Sequence, residues 1–193
     1  MIPLVVMMGL GLAIAAGKKN AGSIAPNSNS AREDSQPDLL GLPIDPRLAP
    51  YVLETLISWF YSWGALKLPV PGLTAGANLK GLLGDCGELL YCLFREAGVF
   101  PADLPMFTSA DYWNLGDGRF VRVANADIQP GDVICYPGHV AGCVGGSGLT
   151  CTVWSNSGGT QATHGDNPNA RPKLFKGPNV YRKDFLGAVR LVK

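Results

Sequence analysis

The chain has 193 residues with 47 % hydrophobic and only 16 % charged side chains, a formal net charge of +1, five cysteines and two histidines. That is room for one domain with appendages and enough apolar content for a core, while the near-neutral balance and the lack of a basic cluster interleaved with aromatics exclude a nucleic-acid partner. The cysteine spacings match no zinc pattern, and no Cys-x-x-Cys pair occurs.

Residues 1–17 carry no charged side chain, and Lys18 and Lys19 follow them. A membrane span needs about 20 apolar residues and a signal-peptide core about 7 to 15, so three readings stay open: a cleaved signal, a short anchor in contact with membrane, or a segment buried in an assembly. Residues 18–46 change character, with Asn27-Ser28-Asn29-Ser30, charges from Arg32 to Asp34, and prolines at 26, 37, 43 and 46. Such a stretch buries too little apolar surface to offset chain entropy and reads as a tether to a domain over 47–193.

Residues 50–64 predict a helix, with Pro50 suited to the first turn and Val52, Leu53, Leu56, Ile57, Phe60 and Trp63 on one apolar face. A loop of leucines, glycines and prolines leads to the most informative stretch, residues 84–98. There Asp85 is a good N-cap, Glu88 sits three positions on as its capping-box partner, and Leu89, Leu90, Leu93, Phe94 and Ala97 recur at helical spacing before Gly98. Cys86 thus stands at the first helical position, where unpaired N–H groups and the positive end of the helix dipole favour thiolate. Gly87 leaves room for a substrate backbone to come close.

Beyond the helix, Ser109 and Asp111 suit the cap of a short helix, and residues 119–123 alternate as a half-buried strand does. Strands are expected near 132–136, 139–145, 149–155 and 186–192, with 158–179 a polar surface loop. Cys135, Cys143 and Cys151 fall in the strand region as buried thiols, with a Cys143–Cys151 bridge open to an oxidising compartment. A lone cysteine is by default a small buried hydrophobe; what changes the reading of Cys86 is His139, heading a strand after Pro137-Gly138. If Ser147-Gly148 make a two-residue hairpin turn, Asn156 faces His139 across the ladder and its amide oxygen orients the imidazole. A three-residue loop puts Ser155 there instead, and His164 is a third candidate.

These residues resemble the NlpC/P60 family of cell-wall cysteine peptidases. The Asp-Cys-Gly-Glu-Leu-Leu run from Asp85 is similar to the family's nucleophile helix. Pro130-Gly131-Asp132-Val133 with Gly138-His139-Val140 is similar to its histidine strands, and Tyr61-Ser62-Trp63-Gly64 resembles the Tyr-x-Trp-Gly that precedes its cysteine. The resemblance implies an α+β, papain-like fold with the nucleophile helix packed on an antiparallel sheet. It also implies a peptidoglycan hydrolase that cleaves an amide bond in stem peptides, with Cys86 as nucleophile, His139 as base, and no metal or cofactor. Asp85, Gly87, Tyr61 and Trp63 then border the substrate. The family's Ser-Gly after the cysteine is Gly87-Glu88 here, and Trp154-Ser155-Asn156 is reminiscent of the related CHAP amidases, which use an Asn. With no wall-binding module in view, the apolar segment and tether at 1–46 are the device for delivery, which suits a cell-envelope enzyme or a virion-borne hydrolase such as a phage tail-tip component. The rival expectation is a structural plug or scaffold that keeps the fold without the activity.

Overall fold

Pro50 lies in the first turn of helix α1 (Ala49–Ser58), where its missing N–H has no partner to lose. The computed structural model describes residues 41–61, 83–157 and 171–192, all within one unit, Ser35–Lys193. The expectations for residues 1–17, for most of the tether, and for Trp63 and His164 lie outside the described residues. Helix α1 stops short of the expected 64, because Trp59 turns extended at φ −95° and ψ 151°. Its buried ring stands edge-on to Trp154 with centroids 6.1 Å apart. Consecutive aromatics favour extended backbone, and strand β1 (Phe60–Tyr61) then pairs in parallel with β2 (Leu83–Gly84).

Helix α2 (Cys86–Glu96) begins as its capping signals require. The Asp85 carboxylate accepts the N–H groups of Gly87 at 2.9 Å and Glu88 at 3.0 Å, and the Glu88 carboxylate accepts the Asp85 N–H at 2.8 Å. Gly98, at φ +69°, carries the chain out of the last turn. Leu89, Leu90, Leu93 and Phe94 are fully buried, each worth about 1.5–3 kcal/mol relative to exposure. The short helix α3 (Ser109–Trp113) is capped one residue earlier than expected, by Thr108 with Asp111.

Six strands follow: β3 (Phe120–Val123), β4 (Val133–Tyr136), β5 (His139–Gly145), β6 (Thr152–Ser155), β7 (Lys173–Lys176) and β8 (Gly187–Leu191), with helix α4 (Pro178–Tyr181) between the last two. They form one sheet in the order β3-β8-β4-β5-β6-β7, antiparallel throughout. Helix α2 covers one face, against Val133, Val140, Val144 and Trp154. A Cβ on Gly142 would stand 2.7 Å from Leu90 Cδ1 and 2.8 Å from Phe94 Cζ, so a glycine is what lets the helix approach β5 this closely. The opposite face gathers Ile134, Tyr136, Ala141, Cys143 and Val153 with Tyr181 and Phe185. The architecture is α+β, a helix packed on an antiparallel sheet.

Several expectations are corrected. Strand β7 and the start of helix α4 fall in the stretch read as surface loop: Lys173-Leu174-Phe175-Lys176 is too short and charged to stand out, yet Leu174 is buried in the core. The end of the tether is already fold, since Asp45 N–H donates to Val144 O at 2.8 Å and Thr152 Oγ1 to Pro43 O at 2.6 Å. A Cβ on Gly145 would collide with the Pro43 carbonyl. All five cysteines are free and buried, so Cys143 and Cys151 are not bridged. Among the described residues, no helix is long and apolar enough to cross a membrane.

The β5–β6 connection departs from a two-residue turn. Gly146 and Gly148 take φ of +62° and +58°, a 3-10 turn covers Gly148–Thr150, and the register shifts between Cys143 and Gly145. Gly142 therefore faces Trp154 and Cys143 faces Val153, one position away from the register that would set Asn156 opposite His139. Because side chains alternate across a strand, that slip exchanges faces: Ser155 joins His139, and Asn156 turns toward α2.

Candidate active site

Cys86 reaches the sheet from the α2 side. Its sulfur lies against the backbone N–H of Val140, the residue after His139, and against the N–H groups of Cys86 and Gly87 at the helix start. Those donors favour thiolate, but the side chain is only 9 % exposed. Burial, with the Asp85 charge beside it, outweighs them and pushes the thiol up to about 12. The thiolate expected from helix position alone is thus overturned by desolvation. A Cβ at Gly87 would make ordinary van der Waals contact with the Phe107 carbonyl at 3.4 Å and Val140 Cγ2 at 4.0 Å. Asp85 serves as the helix cap, holding two N–H groups of the first turn.

His139 shares the face of Ala141 and Cys143. Its ring packs against Tyr136 and Tyr181, with centroids 6.0 Å and 5.7 Å away, and is 6 % exposed. Burial, aided by the Arg182 charge and opposed by Asp184, pulls the imidazole down to about 3. Nε2 lies 2.9 Å from Ser155 Oγ and 3.0 Å from Tyr181 Oη, and Ser155 Oγ donates to Tyr181 Oη at 2.9 Å, closing a triangle. Among the hydrogen bonds of the described residues, none joins Cys86 to His139.

Asn156 does not meet the imidazole. Its Nδ2 donates to the Gly84 carbonyl at 3.1 Å, two residues before the thiol, and its buried Oδ1 has no partner. Of the candidates for the third position, Ser155 is the one at the ring, His164 lies outside the described residues, and Tyr181 was not foreseen. Tyr181 is 42 positions from His139 and ends a one-turn helix that begins in the stretch read as loop and runs just past it. A phenol two residues after Pro178-Asn179 carries no sequence signal of its own. Tyr61 pairs through its backbone with Gly84, the residue before the helix cap.

No protein-family model matches the sequence, and no curated protein matches it.

Proposed function

We propose that the chain is a peptidoglycan hydrolase with a papain-like, NlpC/P60-type domain, cleaving an amide bond in a cell-wall stem peptide by a Cys-His thiol mechanism. One observation carries the reading. A cysteine at the first position of a capped helix rests its sulfur on the N–H of the residue next to a buried, oriented histidine. Its Nε2 being engaged by hydroxyls, the ring's other nitrogen takes the thiol proton as the sulfur bonds to the amide carbon. The oxyanion that forms is held by the Cys86 N–H, which faces the sulfur in the free protein and which the Asp85 cap does not take, its carboxylate accepting from Gly87 and Glu88. Collapse breaks the C–N bond and the imidazolium gives its proton to the leaving amine. Water then attacks the thioester, His139 accepts its proton, and a carboxylate and the thiol are released. The apolar segment and the tether ahead of residue 41 dock the enzyme in a virion or envelope assembly, and the substrate is the stem peptide.

A second observation favours the scaffold reading: the thiol is pushed up to about 12 and the imidazole down to about 3, a neutral pair in the free protein. Incubating purified protein and its Cys86→Ala variant with sacculi separates the two. The hydrolase releases new amino termini or muropeptides that the variant does not; stem peptides left intact by both leave only the scaffold.

A further inference from the structure

We infer that the base of this site is oriented by a pair of hydroxyls, Ser155 and Tyr181, and that Asn156 instead holds the nucleophile's backbone. The inference rests on the thiol-hydrolase reading for its kinetic consequence, while its geometric content stands without it.

A neutral imidazole has one N–H and one bare nitrogen. To accept a proton from Cys86 at its other nitrogen, His139 must carry its own proton on Nε2, and that N–H needs an acceptor. Ser155 Oγ, at 2.9 Å, has lone pairs for it, because its own proton goes to Tyr181 Oη at 2.9 Å. Tyr181 Oη, at 3.0 Å from Nε2, closes the triangle and polarises the serine. When the ring gains the thiol proton, Nε2–H becomes a charge-assisted donor to both oxygens, and these bonds strengthen as catalysis requires.

The arrangement differs from an amide or carboxylate partner in kind. A carbonyl or carboxylate oxygen accepts only and so enforces one tautomer, whereas a hydroxyl both donates and accepts. Ser155 is an acceptor here because its proton is committed to Tyr181, so it is the pair, not either hydroxyl alone, that holds the ring plane and the Nε2–H tautomer. The groups facing the ring are Tyr136 of β4, Ser155 of β6, Tyr181 of α4, and the Arg182–Asp184 pair behind it, which bond to each other at 2.6 Å. No carboxylate bonds to the imidazole among the described residues. Asn156 acts on the other side of the sheet, where Nδ2 ties the end of β6 to the Gly84 carbonyl at the approach to α2. The positioning residues are thus divided by face, hydroxyls for the base and amide for the nucleophile.

Imidazole ¹⁵N long-range NMR on the full chain tests this directly, since only two histidines need assigning and His164→Gln identifies the other. Tyr181→Phe and Ser155→Ala are each expected to move the His139 Nε2 resonance and its titration, while Asn156→Ala leaves both in place. On sacculi, Tyr181→Phe is expected to lower kcat about tenfold with KM within about twofold, the pattern of an interaction made chiefly in the transition state. A His139 signal unchanged in both hydroxyl variants, or one that moves with Asn156→Ala instead, overturns the assignment. If the wild-type protein leaves sacculi intact, the hydrolase reading fails by itself and the NMR comparison still decides what orients the ring.

Discussion

The two faces of the sheet at the start of β5 are built by different rules. On the α2 face, Cys86, Val140, Trp154 and Asn156 are placed by a capped helix lying on alternate residues of β5 and β6. On the far face, His139, Ser155, Tyr136 and Tyr181 are brought together by strand register and by a one-turn helix near the end of the chain. Cys86 is thus set by the helix and His139 by strand register, and the backbone N–H of Val140, the residue after His139, lies beside the Cys86 thiol. Both groups are buried, and both are held neutral by the same desolvation.

The largest effect that would break this picture is in thiol chemistry. With Cys86 at about 12 against an ordinary 9.0, the folded protein should hold about a thousandfold less thiolate at about pH 8 than an exposed cysteine. Iodoacetamide should therefore label Cys86 correspondingly slowly until the chain is denatured, as read by mass spectrometry of tryptic peptides. Rapid labelling of the native protein would place the sulfur in water and undo the parity between the two faces.

Acid should act next, through His139. The imidazole sits at about 3 in the fold against an ordinary 6.5, so below 6.5 the unfolded chain binds a proton that the folded chain refuses. Stability is then full above that pH and falls as pH drops toward the folded value. Thermal melts between about pH 6.5 and 4.5, above most carboxylate titration, should show the loss in wild type and a flatter profile in His139→Gln. Equal slopes in the two proteins would contradict a buried neutral ring.

Smaller effects sharpen the contrast on the α2 side. Gly142→Val would drive side-chain atoms into Leu90 and Phe94, and the overpacking should cost about 1–3 kcal/mol in denaturant unfolding. Asp85→Ala removes the cap from Gly87 and Glu88, at about 0.5–2 kcal/mol. The same change also withdraws the negative charge that raises the Cys86 thiol. It should lower stability and speed iodoacetamide labelling together, whereas a purely structural cap would yield only the first.

Legibility follows the same division. The start of α2 was readable because Asp85, Cys86 and Glu88 act within one turn, and a capping box is a local agreement among neighbours. The run β4-β5-β6 was readable from alternation and from Pro-Gly punctuation at 130–131 and 137–138, but the insertion of β8 between β3 and β4, out of chain order, and the addition of the short, charged β7 at the edge were not. Helix α1 was overextended because Trp59, Phe60 and Tyr61 continue an apolar pattern that a helix and a strand share. Asn156 was set against the wrong partner because two glycines, Gly146 and Gly148, admit several turn geometries, and each one-residue choice exchanges the faces of everything beyond.

Sequence alone determined where a cysteine meets a helix start and a histidine a strand start, since capping, dipole and period depend on residues within a few positions of one another. Tertiary structure decided how those two groups behave: which hydroxyls reach the ring from far along the chain, which face Asn156 takes, and how deeply thiol and imidazole are withdrawn from water. The physical reason is that register and desolvation belong to the packed whole, and the free energy of a charge in a core is set by everything around it rather than by its neighbours in the chain.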